Sequence, residues 1–412
     1  MADVARTAAF AALKRVEQDG AFSNLATQKL LELSPLDKSF ATMIVMGVLE
    51  TNRALDFLIG RYAKRMPRGD LLLLLRMGIY QLYYMDRVPD SASCNETVTL
   101  AKRFCGEKQA GFVNLVLRSL CREKEAAWAC LCQQPEEIRY SFGDGVASLL
   151  REQYPDNYGR IMESFGHHAP LHLRVNTLKA EPSTIAERLG AEQKGSMLIL
   201  QNNHSEALKH LEDGEYFVQG YGSQMTVSLL DAQPGDTVID VCACPGGKSL
   251  GTAISMENCG RIISMDLHGN KLSLITKSAS KLGISIIETK KHDGRKADPS
   301  MKGIADKVIC DVPCSGLGVM GAKPEIRYKD PKDFEGLYET QRAILRESAS
   351  YVKDGGVLVY STCTLNKIEN EEAVKAFLEE NRAFVPEKER TWFPYEDAHE
   401  GFYAVRLVKK NG

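Results

Sequence analysis

The chain has 412 residues, of which 44% are hydrophobic and 26% are charged, and its formal net charge is -2 at pH 7. This composition is typical of an ordinary globular protein, and the length predicts two or three domains rather than one. The first 20 residues lack the apolar core of a signal peptide, and the longest apolar run, Leu71 to Leu75, is followed at once by Arg76. These features argue against secreted and membrane-spanning classes, so we expect a cytoplasmic protein that contacts no membrane.

The cysteine count predicts the redox state of the thiols, and the charge distribution bears on whether the N-terminal region binds RNA. The 11 cysteines are an odd number scattered along the chain, so we expect reduced thiols and no disulfide framework. Residues 1–125 hold 18 Lys and Arg against 14 Asp and Glu. This small basic excess fits ordinary surface variation and an RNA-facing patch equally well.

The sequence pattern of residues 1–126 predicts a helical domain with almost no strand. Ser34 has the side chain of an N-cap, and Pro35 stands at the first helical position. The apolar segment 71–86 predicts a helix at the centre of a bundle, and segment 108–125 predicts the last helix of that bundle.

The remaining chain predicts two further domains. Residues 127–218 predict a small mixed α/β domain, with a short strand and then a helix in "LHLRVNTLKAEPSTIAERLG" and further strands in "MLILQNN" and "YFVQG". In residues 219–412 the apolar runs "DTVIDVC", "GRIISMDL", "SIIETKKHD", "DKVICDVP" and "GGVLVYSTC" are mostly separated by helical segments. This alternation predicts a Rossmann-like domain built on a parallel, doubly wound sheet. The last run, 401–410, alternates strictly and predicts an edge strand.

A cofactor site is predicted at the carboxyl ends of these strands, where such sheets bind their ligands. In "DVCACPGGKS", Gly246 and Gly247 let the backbone approach a ligand, and the next helix presents free amides. Asp266 ends the second strand, where it can accept hydrogen bonds from two ribose hydroxyls, and Asp293 ends the third. The turn matches neither the dinucleotide fingerprint nor the P-loop, so we predict a nucleoside cofactor without phosphates, S-adenosylmethionine. The alternative is that both aspartates only cap helices.

Two cysteines occupy corresponding positions at the ends of two later strands. Cys314 stands in "VICDVPCSGLG" and Cys363 stands in "VYSTCTLNK". We expect both to be reactive and most of the others to be small buried hydrophobic residues. The residues expected to be buried are Cys94, Cys105, Cys121, Cys130, Cys132, Cys259 and Cys310.

The sequence does not predict a metal site. Cys242 and Cys244 could be combined with Cys310 and Cys314, but neither pair has the C-x-x-C spacing usual for zinc. The histidines of "GHHAPLH" are expected at the surface or against substrate, and they are His167, His168 and His172.

Three motifs together carry a family resemblance. In this order and spacing, "DVCACPGGKS", "CDVPCSGLGV" and "YSTCTLNKIENEEAV" resemble the RNA cytosine-5 methyltransferase family. Within that family, "GFVNLVLR" resembles the NusB-like RNA-binding domain, and "LHLRVNTLK" resembles the region before the catalytic domain of the RsmB-type ribosomal RNA enzymes. The resemblance extends over nearly the whole chain, and the Pro-Cys and Thr-Cys pair is its most specific part.

The resemblance implies methylation of carbon 5 of a cytosine in 16S ribosomal RNA. Carbon 5 is a poor nucleophile, but a thiolate added to carbon 6 makes an enamine that can attack an electrophilic methyl group. A second group must then help to remove the carbon 5 proton and to expel the thiolate. By resemblance, Cys363 attacks and Cys314 assists release, whereas in DNA cytosine methyltransferases the Pro-Cys thiol attacks.

The resemblance also implies the remaining site residues. Asp311 is expected beside the cofactor and the target base, and Lys248 is expected to position that carboxylate or to lower a thiol pKa. The implied cofactor-binding residues are Cys242, Ala243, Cys244, Pro245, Gly246, Gly247, Lys248, Asp266, Asp293 and Asp311.

The sequence departs from the family pattern in two places near the site. Cys244 stands where alanine is usual, and "VQGYGSQM" lacks the usual acid and small residue before Ser223. Two alternatives remain: a transfer RNA cytosine-5 methyltransferase, and a non-catalytic RNA-binding factor of ribosome assembly. Retention of Cys314, Cys363 and Asp311 favours an enzyme. We expect a monomer that binds RNA and S-adenosylmethionine and no metal.

Overall fold

The computed structural model describes residues 3–19, 26–166, 169–202, 204–396 and 400–411. Its contacts divide the chain into two compact units. Unit 1 comprises Met1–His167 and Met320–Asp330, and unit 2 comprises His168–Val319 and Pro331–Gly412. The two boundaries between the three domains predicted from the sequence stay a prediction.

Unit 1 is helical. Its helices are α1 Val4–Asp19, α2 Pro35–Glu50, α3 Asn52–Gly60, α4 Asp70–Tyr84, α5 Asp90–Cys105, α6 Glu107–Arg122, α7 Lys124–Cys132, α8 Glu136–Arg139, α9 Asp144–Gln153 and α10 Tyr158–Ser164, with 3-10 turns at Thr27–Glu32 and Pro324–Tyr328. Ser34 caps α2 as predicted, because its hydroxyl accepts a hydrogen bond from the Asp37 amide at 3.3 Å. Most of α4 is buried, so it is the central helix, as predicted. Helix α7 adds Ala127 and Leu131 to the same core, so α6 is not the last helix of the bundle.

A buried arginine ties the short segment 320–330 to the rest of unit 1. Arg327 is 1% exposed and donates hydrogen bonds to the carbonyl oxygens of Glu50 at 3.0 Å, Tyr140 at 3.2 Å and Phe165 at 2.6 Å. Five guanidinium donors suit this task, because one side chain can satisfy carbonyls from several separate helices and loops. Burial lowers the pKa of Arg327 below its usual value.

Unit 2 contains a small antiparallel sheet. Its elements are β1 Leu171–Val175, α11 Pro182–Leu189, β2 Glu192–Lys194, β3 Met197–Leu200, α12 His204–Lys209 and β4 Tyr216–Val218. The strand order is β2-β3-β1-β4. Ile185 and Leu189 of α11 pack with Leu173 and Leu198 in one buried cluster, which gives this sheet its own core.

Unit 2 also contains the large sheet that carries the motifs. Its elements are α13 Tyr221–Leu230, β5 Thr237–Asp240, α14 Gly247–Ser255, β6 Arg261–Asp266, α15 Leu272–Leu282, β7 Ile287–Lys291, β8 Ala305–Asp311, α16 Glu335–Tyr351, β9 Val352–Thr362, α17 Glu371–Glu380, β10 Phe384–Trp392 and β11 Phe402–Lys409. The strand order is β10-β11-β9-β8-β5-β6-β7, and β9, β8, β5, β6 and β7 are parallel. The five apolar runs predicted as strands form this parallel part, so the predicted α/β, Rossmann-like fold is confirmed. All five carboxyl ends therefore meet at one edge of the sheet.

The prediction for the last strand is wrong. Strand β11 lies inside the sheet, because it pairs antiparallel with β9 on one side and β10 on the other. The edge strand on this side of the sheet is β10, which could not be identified from the sequence because "FVPEKERTW" is mostly exposed and charged. Pairing with β11 therefore determines its conformation more than its own hydrophobic pattern does.

Candidate active site

The glycine turn lies between β5 and α14. Gly246 has φ +114°, a conformation that favours glycine, and it is the N-cap of α14. A Cβ atom on Gly246 would come within 3.1 Å of Ile275 Cγ1, so packing also favours glycine here. The turn thus brings backbone close to the space beyond the strand ends, as the sequence predicts.

A cavity of about 180 Å³ opens at this turn. Its lining residues are Val218, Gln219, Gly220, Ser223, Asp240, Cys242, Ala243, Cys244, Pro245, Gly247, Lys248 and Asp311. Seven of the predicted cofactor residues are in this set, which brings the glycine turn together with Lys248 and Asp311. Small and polar groups dominate the wall, and among them Lys248, Asp240 and Asp311 carry charged or ionisable groups that can bind a polar ligand.

Asp240 gives the cavity an unsatisfied polar atom. The residue is 1% exposed, and its Oδ2 accepts a hydrogen bond from Ser249 Oγ at 2.6 Å. Its Oδ1 makes no hydrogen bond of standard geometry with any described residue. Burial raises the pKa of Asp240 to about 7. The Cys242 amide also acts on this carboxyl group, but a buried oxygen without a well-aligned hydrogen bond is costly. A ligand that donates a hydrogen bond here is therefore favoured, and the residues fit a polar cofactor.

The two other predicted carboxylates are not among the lining residues of the cavity. Asp266 ends β6 and accepts hydrogen bonds from the amides of Cys244 at 3.1 Å and His268 at 2.8 Å, so it braces the glycine turn. Asp293 is held by Arg295, whose guanidinium donates to both carboxylate oxygens at 2.9 and 2.8 Å. This side-chain hydrogen bonding lowers the pKa of Asp293 to about 2.

An ion pair joins the turn to the neighbouring strand. Lys248 Nζ lies 2.6 Å from Asp311 Oδ2 and 3.1 Å from Ser223 Oγ. Ser361 donates to the other Asp311 oxygen at 2.7 Å, so both carboxylate oxygens are oriented. Burial acts to lower the pKa of Lys248, but the Asp311 carboxylate outweighs it, and the pKa lies above its usual value. Lys248 therefore stays charged.

The two predicted thiols are adjacent. Cys314 Sγ and Cys363 Sγ are 3.3 Å apart, and both residues are half-buried. Cys314 follows β8 and Cys363 follows β9, and these strands are neighbours in the sheet. The hydrogen bond with Cys363, followed by burial, holds the pKa of Cys314 well above its usual range. The Lys248 ammonium and Cys363 also interact electrostatically.

A buried carboxylate holds the two thiol loops together. Glu369 is 0% exposed, and its Oε2 accepts from the Ser315 amide at 2.8 Å and from Gln341 Nε2 at 2.7 Å. Its Oε1 accepts from Asn366 Nδ2 at 3.0 Å. The hydroxyls of Ser315 and Thr364 are 2.7 Å apart and tie the loops directly.

Sequence reasoning missed several of these residues. Asp240 could have been found, because an acid that ends a buried strand beside the glycine turn is unusual. Glu369 carried a weaker signal within the acid cluster of "NKIENEE". Ser361 gave no signal, since hydroxyls are common and its partner Asp311 lies 50 residues away along the chain.

Some predictions about cysteine and histidine burial are wrong. Cys132 and Cys259 are exposed rather than buried. His172 lies in β1 and is 6% exposed, with its ring 5.8 Å from that of Tyr221, so it is not a surface residue. His167 and His168 lie outside the described residues.

The described ranges lack two further features. No cluster of three His, Cys, Asp or Glu side chains suited to a metal ion occurs in them. Nor do these ranges contain a helix long and apolar enough to cross a membrane.

Three family models match successive parts of the chain. The NusB family matches residues 3–122, the ferredoxin-like domain of RsmF/B-like methyltransferases matches residues 146–209, and 16S rRNA methyltransferase RsmB/F matches residues 227–408. The last match spans the glycine turn, the ion pair and both thiols.

Similar proteins cover nearly the full length. The chain is 34% identical to the probable ribosomal RNA small subunit methyltransferase B of Bacillus subtilis strain 168, over 93% of this chain and 90% of that protein. It is 30% identical to ribosomal RNA small subunit methyltransferase B of Escherichia coli O127:H6, over 96% of each.

Solved structures share the fold. The crystal structure of PH0851 superposes with a TM-score of 0.77 at 22% identity, over 98% of both chains. NSun6 from Pyrococcus horikoshii, solved with SFG, gives a TM-score of 0.60 at 22% identity, over 66% of this chain and 99% of that chain. At these identities the likeness shows the fold alone.

The fold, the glycine turn and the family models together define an S-adenosylmethionine-dependent methyltransferase that acts on ribosomal RNA. Its helical segment is the NusB-like domain that the sequence predicts. The chain belongs to the ribosomal RNA small subunit methyltransferase B family.

Proposed function

We propose that the chain methylates carbon 5 of a cytosine in 16S ribosomal RNA through a covalent adduct between Cys363 and carbon 6. The single observation that carries this proposal is the pair of thiols 3.3 Å apart, next to a lysine–aspartate ion pair. Methylation of an amino or hydroxyl group needs no thiol, whereas methylation of carbon 5 needs a nucleophile and a second group for release.

The chemistry divides into addition and elimination. The Cys363 thiolate forms a bond to carbon 6, and the electrons of the 5,6 double bond move to make carbon 5 nucleophilic. S-adenosylmethionine supplies the electrophilic methyl group when bound. The carbon 5 proton then leaves to a base, and the bond between carbon 6 and the Cys363 sulfur breaks as the double bond re-forms.

The environment of the thiols supports the assignment of their roles. The raised pKa of Cys314 favours the neutral thiol, which suits a group that holds a proton better than one that attacks. Its S–H can donate to the neighbouring sulfur and so stabilise a thiolate at Cys363. Lys248 adds a positive charge that acts on the same sulfur.

Asp311 and the glycine turn orient the reactants. Lys248 and Ser361 each donate to one oxygen of Asp311 and orient this carboxylate. We assign it to accept a hydrogen bond from the N4 amino group of cytosine, and from N3 when that nitrogen is protonated in the adduct. We assign cofactor binding to the turn residues and the strand-end acids, namely Cys242, Ala243, Cys244, Pro245, Gly246, Gly247, Lys248, Asp266, Asp293 and Asp311. A paired base cannot reach these groups, so the target must be single-stranded or flipped out of the helix.

The experiment is nucleoside analysis of RNA methylated by the purified protein. Small-subunit RNA, small-subunit particles and transfer RNA are each incubated with methyl-labelled S-adenosylmethionine and digested. Labelled 5-methylcytidine from small-subunit RNA or particles is the expected result. Label only in transfer RNA would support the alternative substrate, and no label in any sample would support a non-catalytic assembly factor.

A further inference from the structure

The first turn of α13 lacks a cap from its own N-cap residue. Gly220 occupies the N-cap position with φ −59° and ψ 155°, and no side-chain hydrogen bond caps the helix there. The first amides of a helix have no partner within it, and an Asp, Asn, Ser or Thr at the N-cap usually accepts from one of them. Here another part of the chain must supply that acceptor.

Glu400 supplies it from the segment just before β11. Its Oε1 accepts a hydrogen bond at 2.7 Å from the amide of Gly222, the second residue of α13. A Cβ atom added to Gly220 would stand 3.1 Å from each carboxylate oxygen of Glu400. The carboxylate therefore fills the space that an N-cap side chain would use, and its negative charge suits a helix N-terminus.

The same turn forms part of the cofactor cavity. Ser223 follows Gly222, and its hydroxyl accepts from Lys248 Nζ at 3.1 Å. Gly220, Ser223 and Lys248 all line the cavity. The first turn of α13 thus positions Ser223, which is one of the two hydrogen-bond acceptors of the Lys248 ammonium.

Neighbouring contacts hold Glu400 in this position. A Cβ atom on Gly222 would overlap the ring of Phe402, so α13 packs directly on the segment that carries the glutamate. The Gly401 amide donates to the Gly318 carbonyl at 2.7 Å. Burial raises the pKa of Glu400, while the Gly222 amide and then the Lys248 ammonium oppose the rise.

We propose that Glu400 is a positioning residue, whose carboxylate caps α13 in place of a side chain at residue 220 and thereby sets Ser223 and Lys248 for cofactor binding. The proposal rests on the assignment of this cavity to S-adenosylmethionine. It does not depend on which base is methylated.

The test is a double-mutant cycle on S-adenosylmethionine affinity, measured by titration calorimetry on the full chain without RNA. Glu400→Ala removes the cap and is expected to weaken binding about tenfold, within the range of an N-cap loss. Gly220→Asp alone brings a second carboxylate against Glu400 and is also expected to weaken binding. The double variant restores the cap from residue 220 and should bind within about threefold of wild type.

Recovery of binding in the double variant distinguishes loss of the helix cap from a general loss of stability as the cause of weaker binding. Glu396→Ala is the matched control, because Glu396 accepts from the Phe393 amide and pairs with Arg390 in the same region, and among the described residues it has no hydrogen bond or ion pair with α13. It should bind like wild type. If Glu400→Ala does not fold, Glu400→Gln replaces it: the amide oxygen keeps the bond to Gly222, so binding should stay within about threefold, since neutral and charged caps are similar in strength.

The outcomes distinguish this proposal from the site assignment. If wild type binds S-adenosylmethionine and Glu400→Ala binds it with the same affinity, the role of Glu400 is overturned but the site assignment stands. The same holds if the double variant binds no more tightly than the weaker-binding single variant. A tenfold loss in Glu400→Gln also overturns it. If wild type binds no S-adenosylmethionine, the cofactor-site assignment fails together with this proposal.

Discussion

Replacing Glu369 by alanine should separate the two thiol loops and destabilise unit 2. Three donors, the Ser315 amide, Gln341 Nε2 and Asn366 Nδ2, would lose their common acceptor in a fully buried place. Hydrogen bonds to a charged group contribute about 1.5–3 kcal/mol each, and loss of one partner in a buried charged network costs about 3–5 kcal/mol. Because the donors can relax and admit water, we expect a loss of about 3–5 kcal/mol rather than the full sum.

Tryptophan fluorescence can report this loss for unit 2. The chain has two tryptophans, and Trp392 is 4% exposed in the core of unit 2. In a Trp128→Phe background, urea unfolding followed at Trp392 gives the change in the free energy of unfolding. Glu372→Ala is the matched control, since that side chain is exposed, and it should change the value by less than about 0.5 kcal/mol.

A second measurement ties the same variant to the site. A short thiol-specific cross-linker should bridge Cys314 and Cys363 readily in wild type, because their sulfurs are 3.3 Å apart. Cross-linking should fall sharply in Glu369→Ala. A stability loss below about 1 kcal/mol together with unchanged cross-linking would refute the role given to Glu369.

Three further predictions follow from other contacts. Gly318→Ala should lower the free energy of unfolding by more than about 2 kcal/mol, because its Cβ would overlap a backbone carbonyl oxygen, whereas Gly336→Ala in an open helical position should be neutral or stabilising by urea titration. Lys248→Met should slow iodoacetamide alkylation of Cys363 at pH 7 about tenfold, measured by mass spectrometry, because the charge that favours the thiolate is lost; an unchanged rate would contradict this. Asp240, with its pKa raised to about 7, keeps its proton in the folded state while the unfolded state releases it, so the free energy of unfolding should fall between about pH 4 and pH 7. Asp240→Asn should remove up to about 4 kcal/mol of that fall in urea titrations across this range, and an identical pH profile would contradict the assignment.

Local patterns allowed much of the fold to be predicted. The Ser34 cap, the buried helix α4 and the five parallel strands each depend on residues close together in sequence, so periodicity and capping chemistry identify them. The proximity of Cys314 and Cys363 was also accessible, since both follow apolar strands whose carboxyl ends share one edge of the sheet.

Features that depend on distant partners could not be predicted. Strand β10 has an exposed, charged pattern and forms through pairing with β11. From the sequence alone, Arg327 would be predicted as a surface cation. It is instead buried among carbonyl groups of residues more than a hundred positions away. The contact between Gly222 and Glu400 spans 178 residues, and a glycine at an N-cap gives no sign of where its acceptor lies.

The most direct test of the central claim is covalent trapping of RNA by thiol variants. Wild type, Cys314→Ala, Cys363→Ala and the double variant are incubated with small-subunit RNA and S-adenosylmethionine and run on a denaturing gel, with the exposed Cys259→Ala as control. We predict a slowly migrating protein–RNA band in Cys314→Ala that disappears in the double variant, and no methylation by Cys363→Ala. Normal turnover by Cys314→Ala, or a band that persists without Cys363, would contradict the division of roles between the two thiols.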